Sequence, residues 1–192
     1  MKTLITALRV LALMTILTGI VYPLLVTGLA TAFLPCNSAG NLITVAGRVV
    51  GSRLIGQQFT EPRYFWPRPS AVGYNPLPSG GSNLSPTSAA LQAQIADRKA
   101  QLARVTGSNR IPADLYLASG SGLDPDISPE AALYQVNRVA GARGFDSSQS
   151  AAVVRMVYDH TEPRTLGFLG EPRVNVLLLN LSLDSLERSG QR

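Results

Sequence analysis

No charged residue interrupts the apolar run from Val10 to Phe33. A helix over Val10–Ala32 would rise about 35 Å at 1.5 Å per residue, enough to cross a hydrocarbon core of roughly 30 Å. The run is longer than the roughly 7–15 apolar residues of a cleavable signal segment, so a retained transmembrane helix is expected even though Ala30-Thr31-Ala32 resembles a cleavage site. Lys2 and Arg9 precede the run, and the first charge after it is Arg48. That asymmetry places the N-terminus in the cytoplasm. The expected organisation is a short cytoplasmic N-terminus (1–9), a transmembrane helix (10–34) and one extracytoplasmic domain (35–192), periplasmic in a Gram-negative cell. Pro23 is expected to kink the span, and Thr15/Gly19 and Gly28/Ala32 are small-residue pairs suited to packing against other helices.

Beyond the span the pattern changes period. "NLITVAGRVVGSRLIGQQF" alternates around Gly47 and predicts a hairpin whose second strand covers Arg48–Ile55. "TEPRYFWPRPSAVGYNPLPSGGSN" has no periodicity, and so long a stretch of that kind usually signals function, interface or disorder. A helix is predicted over Pro86–Val105, with Leu91, Ile95, Leu102 and Val105 as its apolar face. "DLYLAS" (Asp114–Ser119) suits a short strand. Ser128 as N-cap, Pro129 at the first helical position, Glu130 near the positive end and Gly144 at the close mark a second helix. A third begins at Asp146 or Ser147 and buries Ala152, Val153, Met156 and Val157. "RVNVLLLNLSL" (Arg173–Leu183) reads as a central strand, apolar on both faces. The fold class is a single N-terminal transmembrane helix followed by one α/β extracytoplasmic domain.

Composition narrows the chemistry. Seventeen basic residues face twelve acidic ones, and Lys2 and Arg9 precede the helix, so the outer domain is only mildly basic. Its arginines are dispersed and its aromatics few, which is not a nucleic-acid pattern. One cysteine, Cys36, allows no intrachain disulfide, so an apolar core must hold the domain. "ASGSGLDPDISPE" (Ala118–Glu130) resembles a phosphate loop. Yet no lysine follows any glycine, as a P-loop requires, and Pro125 stands where the dinucleotide fingerprint needs its third glycine. Its Asp, Ser and Pro suit a helix-starting turn better. Asp124 and Asp126 lack the turn glycine and final glutamate of a calcium loop. His160, the single histidine, reads as a capping or surface residue, and no zinc-type ligand set is available. No catalytic residue, metal ligand or bound cofactor is therefore expected. "YFWPRPSA" (Tyr64–Ala71) combines three aromatics with Arg63 and Arg68, as interface anchors do, although a core role for one or two of the rings fits equally.

Taken together, "TGIVYPLL", "GSRLIGQQF", "YFWPRPSA", "YNPLPSGGSN", "ASGSGLDPDIS", "QVNRVAGARG" and "VNVLLLNLSLD" resemble, in this order and across nearly the whole chain, the C subunit of the Kdp potassium-transporting P-type ATPase. The resemblance implies a non-catalytic accessory subunit of a high-affinity, ATP-driven potassium uptake complex in the bacterial inner membrane. Its partners would be a channel-like potassium-binding subunit, a P-type ATP-hydrolysing subunit and a small membrane subunit. It also implies two roles, one in assembly and stabilisation and one as a catalytic chaperone raising ATP affinity in the P-type subunit, with ATP reaching the chain only through the complex. Residues expected at partner interfaces are Thr15, Gly19, Tyr22, Pro23, Tyr64, Phe65, Arg68, Ser82 and Asn83. Nucleotide contact, if made, would fall on Ser119, Gly120, Ser121, Gly122, Gln135 and Arg138. The competing reading is a membrane-anchored binding protein for a small anionic ligand.

Overall fold

The computed structural model describes residues 1–190, which leaves residues 191 and 192 of the expected outer domain outside the described residues. It divides into two compact units, Met1–Ser52 and Arg53–Arg192, so the division falls after Ser52. In the first unit, α1 (Lys2–Ile16) and α2 (Tyr22–Phe33) form one apolar helix of 32 residues, with a mean hydropathy of 2.2 over an 18-residue window. Between them Leu17–Val21 makes a π turn, in which the Tyr22 N–H reaches back to the Leu17 carbonyl. The cause is Pro23, which has no N–H and whose ring would crowd the carbonyl four residues earlier. A short α3 (Pro35–Ser38) follows, then an antiparallel pair, β1 (Leu42–Val45) and β2 (Arg48–Ser52). Ala46 and Gly47 both have positive φ, as a two-residue turn with the twist of a hairpin requires. The predicted hairpin is present, with a second strand shorter than expected.

The second unit is α/β with little sheet. Its helices are α4 (Ala89–Thr106), α5 (Pro129–Arg143), α6 (Ser147–Asp159) and α7 (Val176–Gly190). Its sheet is the antiparallel set β3 (Asp126–Ile127), β5 (Arg173–Asn175) and β4 (Thr161–Glu162), with β5 in the middle. Local capping explains the helix starts. The Ser128 Oγ accepts from the Ala131 N–H at the head of α5, and Asp146 and Gln149 form a reciprocal capping box on α6. Gly144 closes α5 in the left-handed conformation. His160 closes α6, one ring nitrogen facing the Met156 carbonyl at 2.9 Å and the other the Ser182 hydroxyl of α7 at 2.9 Å.

Three expectations are corrected. "RVNVLLLNLSL" is a strand only through Asn175, whose Oδ1 then accepts from the Leu178 N–H and starts α7. Val176, Leu179 and Leu183 recur at helical spacing and are buried. "DLYLAS" is not a strand: Ala113–Leu115 is a single 3-10 turn that buries Leu115 and lets the Asp114 carboxylate accept from the Ser128 N–H at 2.8 Å. On α4 Leu102 is the one buried residue, and Val105, expected on the apolar face, is exposed.

The core joins Leu102, Leu115, Ile127, Val136, Val139, Val153, Val157, Val174, Leu179 and Leu183 with Phe65. Each fully buried Val, Leu or Phe side chain contributes about 1.5–3 kcal/mol.

Candidate functional site

Two buried amides organise the aromatic–proline segment. Asn180 on α7 accepts from the Phe65 N–H at 2.8 Å and donates to the Phe65 carbonyl at 3.1 Å. Gln135 on α5 does the same for Trp66, at 2.8 and 3.1 Å. Each side chain thus satisfies both main-chain groups of one residue, as a neighbouring strand would. Phe65, expected at a partner interface, is completely buried and belongs to the core. Trp66 is half-buried. Its indole N–H donates to the Glu61 carbonyl at 3.0 Å, and the Arg138 guanidinium lies 3.8 Å from the ring centre.

A charged cluster secures the other end. Arg143 has a fully buried side chain that pairs with Asp184 at 2.7 Å and Glu187 at 2.6 Å and donates to the Arg63 carbonyl at 2.8 Å. Arg63 shares Glu187, and the Tyr64 hydroxyl donates to Asp184 at 3.3 Å. Burial, and then the Asp184 charge, push the Tyr64 phenol up. None of Arg143, Asn180, Asp184 or Glu187 was singled out from the sequence. Their signal was present: Asn180, Asp184 and Glu187 recur at i, i+4 and i+7, a polar stripe that only a helix would align.

The glycine-rich loop lies against this same segment. Its Ser119 N–H donates to the Pro69 carbonyl at 2.9 Å, and its Gly122 carbonyl accepts from the Ser70 hydroxyl at 2.7 Å. The Gly122 N–H donates to the Ser119 hydroxyl at 3.1 Å and the Leu123 N–H to the Ser121 hydroxyl at 3.1 Å. A phosphate cradle needs converging free N–H groups, and these are engaged within the chain. Gly122 has φ +69°, and a Cβ there would sit 2.6 Å from the Val72 side chain and 2.7 Å from the Gly80 carbonyl. The glycine serves close approach of two backbones. Gly122→Ala is therefore expected to destabilise the domain by about 2 kcal/mol through the left-handed backbone and displaced neighbours. Thermal melting of the purified chain checks this, and an unchanged midpoint would show that the contact yields at no cost.

Of the other residues expected to meet nucleotide, Gln135 is fully buried and Arg138 almost so. Arg138 donates to the Pro62 carbonyl at 2.6 Å and also to the Gln135 amide oxygen. Burial lowers its guanidinium to about 10, so it remains charged at neutral pH. Gly120 and Ser121 are exposed. The structure thus brings Tyr64 and Phe65 of the expected interface set and the expected nucleotide set into one packed body. Arg68 lies there too, paired with Asp124 at 2.9 Å. Ser82 and Asn83 are exposed, as are Thr15, Gly19, Tyr22 and Pro23 on the apolar helix.

Beside this segment a cleft of about 310 Å³ opens between Trp66, Pro67, Pro69 and Tyr74 on one side and Arg98, Gln101 and Leu102 of α4 on the other. The Tyr74 hydroxyl donates to the Arg68 carbonyl at 2.6 Å, and burial pushes it up to about 12, so it stays a donor. A chain of alternating charges runs across the sheet: Arg53 with Glu162, Glu162 with Arg173 at 2.8 Å, and Arg173 with Asp126 at 3.3 Å. Burial pushes the Asp126 carboxyl up, against the pull of the Asn175 hydrogen bond. Among the described residues no cluster of His, Cys, Asp and Glu is arranged to hold a metal ion.

This geometry accompanies a sequence with many relatives. A protein from Geobacter sulfurreducens named "Potassium-transporting ATPase KdpC subunit" is 54% identical over 190 residues, covering 97% of this chain and 99% of its own length. Proteins of the same name from Gemmatimonas aurantiaca and Rhodospirillum rubrum are 54% and 51% identical, covering 97% and 96% of this chain and 94% and 96% of their own lengths. The sequence model of the family described as "KdpC: K+-transporting ATPase, c chain" matches residues 4–185. On the strength of that near-complete match, the chain belongs to the KdpC family of potassium-transporting ATPase subunits.

Proposed function

We propose that this chain is the accessory subunit of a high-affinity, ATP-driven potassium uptake complex and acts there by assembling and stabilising it. The observation that carries this reading is the end-to-end similarity to proteins named as KdpC subunits. The apolar helix anchors the chain in the inner membrane with its N-terminus in the cytoplasm, as Lys2 and Arg9 favour, and the second unit lies in the periplasm. Its partners are the channel-like potassium-binding subunit, the P-type subunit and the small membrane subunit. The membrane helix docks on the channel-like subunit, and the aromatic–proline face meets the outer side of the complex.

The geometry supports assembly more than nucleotide contact. Phe65, Gln135, Asn180 and Arg143 hold the face rigid, so docking on it costs little ordering entropy. Burial of Ser119, Gln135 and Arg138 leaves few polar groups for ATP, and any effect on ATP affinity is exerted through the P-type subunit. Copurification tests the reading. Tagged chain expressed with its neighbours should bring down polytopic membrane subunits, whereas a stand-alone anion-binding protein would come down alone. Filling the cleft with Gln101→Trp, at an exposed position on α4, should lower recovery of the complex several-fold with melting unchanged. Full recovery would remove the cleft from the interface.

A further inference from the structure

The turn between β4 and β5 carries apolar side chains that the chain itself does not cover. Thr165 and Leu169 pair across a tight turn, each N–H donating to the other's carbonyl at 2.9 Å. At its tip Leu166 and Gly167 have φ of 55° and 84°, the combination that normally calls for Asn-Gly. Leucine rarely adopts this conformation. Here it does so while 79% exposed, with Phe168 69% exposed beside it. Arg164 and Glu171 close the base with an ion pair at 2.6 Å. A backbone that is unfavourable for leucine, used to hold large apolar groups in water, indicates a surface that is covered in the working protein.

We propose that residues 163–172 form a second membrane contact, in which Leu166, Phe168 and Leu169 enter the headgroup–acyl boundary of the bilayer. Two features favour lipid over a protein partner. The tip is a single tight turn, and two leucines and one phenylalanine supply a fraction of the roughly 800 Å² per partner that a stable protein interface buries. A tethered contact needs far less, because the apolar helix keeps the bilayer at high effective concentration. Aromatic and leucine side chains suit that boundary, and the Arg164–Glu171 pair suits the polar layer beside it. The inference rests on the membrane anchoring proposed above.

The test uses the full chain carrying Cys36→Ser, with spin labels placed singly through Phe168→Cys, Leu25→Cys in the apolar helix and Leu77→Cys on an exposed loop. In vesicles of phosphatidylethanolamine and phosphatidylglycerol, labels at 25 and 168 should collide readily with oxygen and poorly with a water-soluble nickel chelate. The label at 77 should do the reverse. If 25 is lipid-protected while 168 matches 77, the hairpin contact is overturned and the anchoring stands. If 25 is also open to the chelate, the anchoring fails and the hairpin contact with it. Protection at 168 that appears only after the other subunits are added would overturn the lipid assignment in favour of a subunit contact.

Discussion

Asn180→Leu is expected to lower the stability of the domain by about 3–5 kcal/mol, because it strips the partners from two main-chain groups at once. The side chain itself is nearly isosteric, so volume is not the issue. What is lost is the acceptor for the Phe65 N–H and the donor for its carbonyl, in a place where Phe65 is sealed from water. Each group left bare costs about 1–3 kcal/mol, and no rotation of the segment can hydrate them without drawing Phe65 from the core. The melting midpoint of the purified chain should fall by roughly 10 °C. Gln135→Met should cost less, since Trp66 reaches solvent and water can replace part of what the amide supplied. A midpoint for Asn180→Leu within about 2 °C of the parent would refute the role of the amide.

Arg143→Met is expected to cost about 3 kcal/mol, toward the lower end for breaking a buried ion pair. The guanidinium is fully covered, while Asp184 and Glu187 retain 24% and 25% exposure, so their carboxylates can recover some hydration once the cation is gone. Methionine keeps the packing of the stem, which confines the loss to charge and hydrogen bonds. The residue also occupies the last turn of α5, where a positive charge favours the helix dipole. Combining Arg143→Met with Asp184→Asn should cost less than the two changes added, since the second removes a charge the first had stranded. Strict additivity in melting or urea titration would mean that the pair is not coupled.

Much of the fold was legible because its cues are local. The apolar run at Val10–Phe33 is continuous, and the Ser128 cap, the helix start at Asp146 or Ser147 and the Gly144 stop each act within a few residues. The misreading of Arg173–Leu183 had a physical origin. A run of apolar residues that is buried throughout looks the same as a central strand or as a core helix, and periodicity cannot separate them. Asn175 broke the tie by capping α7. The role of Tyr64–Trp66 was illegible for a different reason: its amide partners lie 69 and 115 positions away, and nothing near the segment announces them. The glycine-rich loop misled in the opposite sense, since small residues serve a ligand's phosphate and a neighbouring backbone equally well.

The paired amides have a consequence for how such a surface can vary among relatives. Because Gln135 and Asn180 grip main-chain atoms, their hold on positions 65 and 66 is indifferent to the side chain there, provided it fits and is not proline. Position 66, half open to solvent, can therefore exchange one residue for another while Gln135 keeps its hold on the main chain there. Sequence drift can change the outward ring in single steps, while the scaffold beneath keeps the same two amides.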